Sequence, residues 1–328
     1  MKRKHNIKLI VLSLTLMALL LAACGSQSTG TSDPGSSTGT GTVSQDTPDA
    51  AEQTVKDAMG HEVKIPAHPQ KVLAAYLEDH LVAIGVKPVA QWAIGTTVQK
   101  YLTSELNVVP TIEWNLPPEA VAAAAPDLII VGSQASVQKG LYEQYSKIAP
   151  TYVLGDEILA DWRKALTTIG ELLNKSDEAA KAIQDYDQKA ADAKEKIHQA
   201  IGDQSAAILW QIQQQLYIVE PTRTSGNVLY GDLGVKVPAL VASLPAPGAT
   251  WEAISLEKLA DLDADHIFLI NADGVGQAAK GTETALWKNL KAVKEGHVHE
   301  LADQGNWTVS GLVAGEKTME EIVGALTK

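Results

Sequence analysis

The chain has 328 residues, with 27 lysines and arginines against 39 aspartates and glutamates, which gives a formal net charge of −12. Its single cysteine excludes a disulfide-stapled scaffold and a cysteine-based zinc site, and its acidic balance argues against nucleic-acid binding, which needs clustered basic residues. Because 45% of the residues are hydrophobic, the chain can bury a sizeable core, and its length favours about two domains.

Residues 1–23 have the pattern of a bacterial lipoprotein signal peptide. Basic residues cluster in Met1–Lys8, the segment Leu9–Leu21 is almost wholly apolar, and small residues then lead to Cys24. The apolar run is short for a membrane-spanning helix, which needs about 20 residues. The position of Cys24 resembles the lipobox, which implies that this cysteine becomes the lipidated first residue of the mature protein. The alternative is an ordinary signal peptide in which the cysteine is incidental.

Residues 24–53 are predicted to form a disordered tether between the lipid and the folded domain. Small and polar residues dominate this segment, so it cannot bury enough apolar surface to fold. Removal of residues 1–23 takes away four basic residues and changes the formal net charge to −16. We therefore predict an acidic domain that begins near residue 54 and is held by lipid on the extracytoplasmic face of the cell membrane.

An internal repeat predicts an α/β fold. Glu119 and Glu257 each open a short helix, and each is followed eight residues later by an aspartate that leads into an apolar run. The runs are Leu128–Val131 in the first copy and His266–Ile270 in the second. Continuous apolar runs of this length are typical of strands that are buried on both faces of a parallel sheet. Two copies of one helix–strand unit therefore predict two α/β lobes with mainly parallel sheets.

Residues 176–201 carry the longest helical pattern in the chain. Ser176 is a good N-cap, and Gly202 is a good stop. Apolar residues recur at steps of three and four and form one stripe: Ala179, Ile183, Tyr186, Ala190, Ala193 and Ile197. A surface helix or half of a coiled coil would show the same stripe. The central position favours one rigid helix that joins an N-terminal lobe at residues 54–175 to a C-terminal lobe at residues 202–328.

The sequence lacks the motifs of common enzyme classes. It contains no G-x-S-x-G nucleophile motif, no G-x-x-x-x-G-K-[ST] phosphate loop and no H-E-x-x-H zinc motif. His297 and His299 have a ligand-like spacing along one strand face, but the other histidines are scattered, which favours exposed strand-edge histidines over a metal site. We therefore predict a protein that is not an enzyme and that has neither a cofactor nor a metal site.

Aromatic and arginine usage points to a ligand cleft. The chain has 7 tryptophans but only 1 phenylalanine. Trp114 and Trp251 precede the repeated helix in equivalent places, where α/β proteins bind ligands, so both are expected to face one shared cleft rather than to fill separate cores. Trp307 lies in a glycine-flanked polar loop and is also expected to face the ligand. Only Arg163 and Arg223 remain after signal removal, which favours a neutral or positively charged ligand over a polyanion.

Several motifs along the chain belong to one combined pattern. They are the Cys24 lipobox and the segments Asp57–Pro66, Leu77–Pro88, Pro126–Val131, Leu229–Gly234 and Trp307–Gly311. Together they resemble the iron-siderophore substrate-binding lipoproteins of ABC importers over essentially all of residues 54–328. The resemblance implies a class III periplasmic-binding-protein-like fold, in which one long rigid helix joins two α/β lobes. It also implies capture of a ferric siderophore and its transfer to an ABC permease with its ATPase, and we expect a monomer.

Within that family the chain looks most similar to the iron-hydroxamate binders. The resemblance implies that the ligand contacts aromatic residues, here Trp114, Trp210, Tyr217, Trp251 and Trp307. Some members carry an arginine where this chain has Ile212. That departure leaves other ligands open: another iron chelate such as ferric citrate or a catecholate, cobalamin or haem. Arg223 is a candidate to reach a carbonyl oxygen of the ligand, whereas Arg163 is interpreted as structural.

The resemblance also implies where the permease docks. Members of the family present one carboxylate per lobe to arginines of the permease. Glu78, just after the first predicted strand at Val72–Tyr76, matches the position in the N-terminal lobe, and Asp232 is the candidate in the C-terminal lobe. Both are therefore expected at exposed lobe tips. The alternative for each is an ordinary solvated surface acid.

Overall fold

The computed structural model describes residues 52–244, 251–278 and 280–328. The predicted signal peptide, the lipidation site at Cys24 and nearly all of the predicted tether lie outside these described residues. Within them, no helix is both long enough and apolar enough to cross a bilayer.

The N-terminal lobe is built on short strands that are mostly paired in parallel. These strands are β1 (Gln53–Lys56), β2 (Glu62–Ile65), β3 (Val72–Leu73), β4 (Gln91–Ala93), β5 (Thr111–Glu113), β6 (Leu128–Val131) and β7 (Thr151–Val153). β1 and β2 form an antiparallel pair, β3–β6–β7 form a parallel sheet in that order, and β4 pairs with β5 in parallel. All residues of β6 are buried, which confirms the first predicted apolar strand.

The C-terminal lobe contains one larger mixed sheet. Its strands are β8 (Ala206–Ile212), β9 (Gln215–Val219), β10 (Trp251–Ala253), β11 (His266–Asn271) and β12 (Val298–Ala302). The spatial order is β10–β9–β8–β11–β12, with β8, β11 and β12 parallel and β9 antiparallel to both of its neighbours. All residues of β11 are buried, which confirms the second predicted apolar strand.

Helices flank the sheets in both lobes. Before the long helix they are α1 (Glu78–Ala83), α2 (Thr103–Leu106), α3 (Pro118–Ala124), α4 (Leu141–Tyr145), α5 (Asp156–Leu159) and α6 (Trp162–Leu172). The long helix is α7 (Ser176–Ile201). After it come α8 (Thr224–Gly226), a π-helix (Asn227–Asp232), α9 (Ala239–Ala242), α10 (Leu256–Leu259), α11 (Ala285–Lys288), α12 (Lys291–Glu295) and α13 (Leu312–Leu326). Short 3-10 turns lie at Lys100–Leu102, Gln134–Val137 and Asn306–Thr308. Both copies of the repeat are a helix followed by a buried strand, α3–β6 and α10–β11.

Helix α7 has the length and the buried stripe that its sequence predicts. It has 26 residues, which corresponds to about 39 Å. Its buried residues are Ala179, Tyr186, Ala190, Ala193 and Ile197. Ser176 is the first helical residue rather than the predicted N-cap, and the backbone N–H of Lys175 donates to the carbonyl of Gly170 at 2.7 Å. This bond links the start of α7 directly to the end of α6, and Gly202 at φ 57° ends the helix as predicted.

One hydrophobic core runs through both lobes. α7 packs against α6 of the N-terminal lobe and against α13 and the π-helix of the C-terminal lobe. The same cluster of buried apolar side chains contains Leu128 and Ile130 of β6, Tyr186 of α7, and Phe268 and Ile270 of β11. The architecture is therefore two α/β lobes joined by one long helix, as the sequence predicts.

The C-terminal helix adds a second junction between the lobes. Asp79 of α1 accepts hydrogen bonds from the backbone N–H groups of Val313 (3.0 Å) and Ala314 (2.8 Å), and from the hydroxyl of Tyr101 (3.0 Å). A carboxylate at this position satisfies free N–H groups at the start of α13 and interacts favourably with the helix dipole. Helix α13 follows α7 in the chain but contacts the N-terminal lobe, so the two lobes also meet at the start of α13.

Candidate ligand-binding cleft

Three of the aromatic residues implied by the resemblance lie together on the sheet of the C-terminal lobe. The ring centroids of Trp210 and Trp251 are 4.8 Å apart, and those of Trp210 and Tyr217 are 5.8 Å apart. Trp210 lies opposite Tyr217 in the β8–β9 register, and Trp251 lies opposite Val219, so all three side chains leave the same face of the sheet. The rings are half-buried, and we refer to them as the C-lobe ring cluster.

Trp114 and Trp251 do not occupy equivalent places. Trp114 directly follows β5, with 59% of its surface exposed, and makes no ring contact with any aromatic residue in the described part of the chain. Trp251 is the first residue of β10, which pairs antiparallel with β9. The predicted equivalence is wrong because one tryptophan follows a parallel strand while the other begins an antiparallel edge strand. A ligand contact for Trp114 stays a prediction.

Trp307 belongs to the core, and the expectation that it faces the ligand is wrong. Only 1% of its surface is exposed. Its indole Nε1 donates to Glu321 Oε2 at 2.7 Å, and its ring lies 5.6 Å from that of Phe268. The polar loop before it turns the chain from β12 back toward α13, so the ring fills the space between sheet and helix. A buried indole N–H needs an acceptor, and Glu321 supplies it.

Glu78 does not lie at an exposed lobe tip, which corrects the docking prediction for this residue. Its side chain opens α1 and is 1% exposed. Its Oε1 accepts the backbone N–H of Trp92 at 2.6 Å, whereas Oε2 is buried without a hydrogen-bond partner among the described residues. Burial raises the pKa of Glu78 to about 7. A carboxyl group in this place is inaccessible to an arginine of another protein.

Asp232 is also unsuited to the predicted docking role. Its carboxylate accepts the hydroxyl of Tyr186 at 2.7 Å and forms an ion pair with Arg163 at 3.3 Å, and its side chain is only 11% exposed. Arg163 also pairs with Asp187 at 2.6 Å, and its guanidinium lies 4.3 Å from the ring centroid of Trp162. These contacts join α6, α7 and the π-helix. Both Arg163 and Asp232 therefore tie the two lobes to the long helix, in agreement with the structural interpretation of Arg163.

Arg223 follows β9 and remains exposed. It precedes the short helix α8, and no described residue accepts a hydrogen bond from its guanidinium. Because β9 runs antiparallel to β8, the segment after Val219 leaves the sheet toward the first residues of β8. The proposed contact between Arg223 and a carbonyl oxygen of the ligand stays a prediction.

The N-terminal lobe contributes an aromatic pair that the sequence analysis missed. Tyr76 follows β3, Trp92 lies on β4, and their ring centroids are 5.0 Å apart. Tyr76 is 46% exposed and has a φ of 64°, an uncommon backbone conformation for a bulky residue. The sequence predicts a strand at Val72–Tyr76, and ligands bind after parallel strands, so this rule makes Tyr76 a candidate ligand residue.

Asp303 supports the C-lobe ring cluster. It directly follows β12, and its carboxylate accepts the indole N–H of Trp210 at 2.9 Å and the backbone N–H of Gly305 at 2.7 Å. Partial burial and the charges of Glu78 and Asp303 raise the pKa of Tyr76. A cleft shared by the Tyr76–Trp92 pair and the C-lobe ring cluster stays a prediction.

A main-chain contact joins the two lobes next to Asp303. The backbone N–H of Tyr101 donates to the carbonyl of Gln304 at 3.1 Å, next to Asp303. The phenol of Tyr101 donates to Asp79, so one tyrosine is bonded to both the C-terminal segment and α1. Such contacts favour a preformed cleft over one that is assembled by the ligand.

The strand histidines lie together but not as a metal site. The ring of His266 is 4.6 Å from that of His297 and 5.4 Å from that of His299, and the three are stacked. His266 Nδ1 lies 3.2 Å from His299 Nε2, a distance that fits a hydrogen bond between the rings. Burial lowers the pKa of His266 to about 4. No group of three or more His, Asp, Glu or Cys side chains in the described part of the chain has a metal-binding arrangement.

Comparison with known proteins finds a matching family and similar relatives. A family model described as periplasmic binding protein matches residues 76–304. In Bacillus subtilis (strain 168), the probable siderophore-binding lipoprotein YfiY is 30% identical over 341 residues, 98% of this chain and 97% of the relative. The iron(3+)-hydroxamate-binding protein FhuD of the same strain is 30% identical over 317 residues, 95% of each chain.

A solved structure shows the same fold. It is a FhuD fold-family periplasmic binding protein component of a Fep/Fec-like ferrichrome ABC transporter from Bacillus subtilis. It is similar to this chain with a TM-score of 0.69 at 28% identity, and the match covers 84% of this chain and 100% of the solved chain.

Proposed function

Because the chain belongs to the periplasmic binding protein family, we propose that it captures a ferric hydroxamate siderophore outside the membrane and delivers it to an ABC permease. At a coarser level, it is the substrate-binding component of a siderophore or iron ABC transporter of the FhuD type. It is a transport protein and not an enzyme, as the sequence predicts. The observation that carries the hydroxamate proposal is the half-buried C-lobe ring cluster of Trp210, Tyr217 and Trp251.

The composition of the cleft fits a ferric hydroxamate. Three hydroxamate groups neutralise the charge of iron(III), and the complex presents a broad, polarisable surface that can pack on ring faces. A trianionic catecholate or an anionic citrate complex would require guanidinium or ammonium groups that bind oxyanions. Arg163 is engaged by Asp187 and Asp232, so it is not available for that purpose.

A ligand panel tests this assignment. We expect ferrichrome to bind the purified protein at least about tenfold more tightly than ferric citrate, ferric enterobactin, cyanocobalamin or haemin, a difference of about 1.4 kcal/mol. Native mass spectrometry would give the stoichiometry, and isothermal titration calorimetry the affinities. Tightest binding of haemin or cyanocobalamin would contradict the proposal and favour the alternatives that also suit aromatic clefts.

Delivery requires that the protein stay near its permease. We propose that lipidation of Cys24 anchors it, as a monomer, to the extracytoplasmic face of the membrane. A single acyl chain binds a membrane only marginally, whereas two chains hold a protein firmly. The segment between Cys24 and β1 would then act as the tether.

For docking we propose Glu119 and Glu257 in place of Glu78 and Asp232. These two glutamates are the repeated residues that open α3 and α10, and both are exposed. They occupy corresponding places in the helix–strand unit of each lobe, so they present one accessible carboxylate per lobe. Exposed carboxylates can meet arginines of a permease without first breaking internal hydrogen bonds.

The docking proposal predicts that loss of the two glutamates leaves ligand affinity unchanged but reduces uptake. The double variant Glu119→Ala/Glu257→Ala should bind the ferric hydroxamate with unchanged affinity, because neither side chain belongs to the ring cluster. Growth of cells on that siderophore as the only iron source should fall strongly, because the permease arginines lose their partners. A matched control is Asp192→Ala/Glu195→Ala, which removes two exposed acids from α7. Equal growth of both double variants would show that Glu119 and Glu257 are ordinary surface charges.

A further inference from the structure

A cavity of about 390 Å³ lies in the C-terminal lobe, on the face of the sheet opposite the C-lobe ring cluster. Side chains alternate between the two faces along a strand, so Gln211, which lines the cavity, points away from its neighbour Trp210. Asn271 lies opposite Gln211 in the β8–β11 register, and Glu300 lies opposite Leu269 in the β11–β12 register. We refer to this space as the rear cavity, and the sheet separates it from the ring cluster.

The walls of the rear cavity are mainly apolar. They include Leu269 of β11, Trp287 of α11, Val293 of α12 and Val298 of β12. Cavities of about 300–1,000 Å³ with apolar walls and a few polar groups are typical of small-molecule sites. The rear cavity therefore has the size and the surface to hold the apolar body of a small molecule.

A buried amide oxygen on the wall of the rear cavity has no partner. The side chain of Gln211 is fully buried, and its Oε1 accepts no hydrogen bond from any residue that the structure describes. Its Nε2 donates to the carbonyl of Gln277 at 2.7 Å and to Asp273 Oδ2 at 3.3 Å. These two acceptors fix the orientation of the amide, because exchange of its nitrogen and oxygen would bring oxygen against oxygen. Buried polar atoms normally have a partner, so this oxygen indicates a ligand that donates a hydrogen bond.

Hydrogen bonds link Gln211 to a carboxylate on the same wall. The carbonyl of Gln277 accepts both Gln211 Nε2 at 2.7 Å and Asn271 Nδ2 at 2.9 Å. Asn271 Nδ2 also donates to Glu300 Oε1 at 2.7 Å. The backbone N–H of Gly276 donates to the same oxygen at 2.8 Å, so Oε2 of Glu300 takes no part in these bonds. This chain of hydrogen bonds places the free amide oxygen and the carboxylate near each other.

The charge of the rear cavity favours a cation. Glu300 lines it, and no lysine, arginine or histidine is among its described lining residues. A carboxylate forms charge-assisted hydrogen bonds with ammonium groups, and a tryptophan ring such as that of Trp287 attracts an ammonium group within about 6 Å of its centroid. An alkyl ammonium group carries three N–H donors, which is enough for Gln211 Oε1 and Glu300 together. An anionic ligand would instead meet a like charge.

We propose that the rear cavity is a second binding site, which takes a small primary amine with an apolar or aromatic body. The ammonium group donates to Gln211 Oε1 and to Glu300, and the body of the ligand packs on Leu269 and Trp287. The site lies on the other face of the sheet from the proposed siderophore site, so the inference goes beyond the proposed function and does not depend on it.

Three probes that share one aromatic body test this chemistry. At neutral pH phenethylamine carries an ammonium group, phenethyl alcohol a neutral hydroxyl and hydrocinnamate a carboxylate. We expect the amine to bind the purified protein at least about fivefold more tightly than the alcohol, and the carboxylate not to bind. Ligand-detected NMR titrations would give the dissociation constants. Equal constants for the three probes, or no binding of the amine at millimolar concentration, would overturn the proposal.

A charge variant locates the ammonium group. Glu300→Gln keeps an acceptor for Asn271 and Gly276 but removes the charge. It should therefore lower the affinity for phenethylamine to that for phenethyl alcohol and leave the affinity for the alcohol unchanged. The matched control is Glu295→Gln, an exposed acid on α12 that does not line the cavity and should bind the amine as the wild type does. An equal loss in both variants would assign the preference to general surface charge and overturn the proposal.

A steric variant locates the body of the ligand. Val293→Phe fills part of the rear cavity and should abolish binding of phenethylamine, whereas Trp251→Ala alters only the ring cluster and should leave that binding unchanged. Circular dichroism and thermal unfolding would check the fold, and the Glu300→Gln result stands if Val293→Phe does not fold. The reverse pattern, with loss only in Trp251→Ala, would place the amine at the ring cluster and overturn the proposal.

Discussion

Replacement of Trp251 by alanine is expected to weaken ferrichrome binding by about tenfold or more, because each desolvated aromatic contact contributes about 0.5–1.5 kcal/mol beyond area burial. Trp251 packs against Trp210 with ring centroids 4.8 Å apart. Loss of one ring therefore removes its own contact with the ligand and also the support of its neighbour. Isothermal titration calorimetry on the variant would measure the change in dissociation constant.

Two further variants test whether the loss of affinity is specific to a ring of the C-lobe ring cluster. Trp251→Phe keeps a ring on β10 and should retain most of the affinity. Tyr142→Ala removes a ring that stacks on His61 rather than on any ring of the cleft, so it should leave the affinity unchanged. If Trp251→Ala and the wild type bind ferrichrome equally, the C-lobe ring cluster is not the ligand site.

Trp307→Ala is expected to reduce the free energy of unfolding by about 3–5 kcal/mol, the range found when large buried aromatic residues are truncated. The ring is 1% exposed and packs against Phe268, and the indole N–H is bonded to Glu321. The substitution leaves a cavity and also removes a hydrogen bond from a half-buried carboxylate. Urea unfolding followed by circular dichroism would measure the change.

The conservative variant separates packing from hydrogen bonding. Trp307→Phe retains much of the ring volume but not the N–H group, so its stability should lie between those of the wild type and Trp307→Ala. Where both variants remain folded, their affinity for ferrichrome should equal that of the wild type. Lost binding with unchanged stability would mean that Trp307 faces the ligand after all.

Local sequence patterns were enough to predict the main elements of the fold. The apolar runs after the two repeated helices are the fully buried strands β6 and β11. The apolar stripe of residues 176–201 is the buried face of α7. These features depend on the residues of one segment alone, because a strand buried on both faces is a continuous apolar run and a helix buried on one face carries an apolar stripe.

The roles of single polar residues could not be predicted in the same way. Glu78 follows a strand, as an exposed acid at a lobe tip would, but the backbone of Trp92 covers it. Asp232 lies in a segment that resembles the family, but it is bonded to Arg163 and Tyr186, which are distant in sequence. Whether a carboxylate meets solvent or a partner depends on segments that fold against it, and no local pattern records them.

The aromatic residues were likewise anticipated only in part. Of the aromatic residues implied by the resemblance, Trp210, Tyr217 and Trp251 come together, whereas their contact with a ligand stays a prediction. The pairing of Tyr76 with Trp92 was missed because it joins two segments that no local pattern links. In contrast, Glu119 and Glu257 were already present as the repeated glutamates, so the repeat itself contained the signal for the docking proposal.

The amino-acid pattern alone specified the two α/β lobes and the long helix between them. Those properties follow from composition and from periodicities of a few residues. Only the tertiary structure decided that Trp307 is core, that Asp303 accepts the indole N–H of Trp210, and that Asp79 holds the start of α13 from 234 residues away. The physical reason is that burial and charge pairing are properties of contacts between distant segments, and such contacts exist only after the chain has folded.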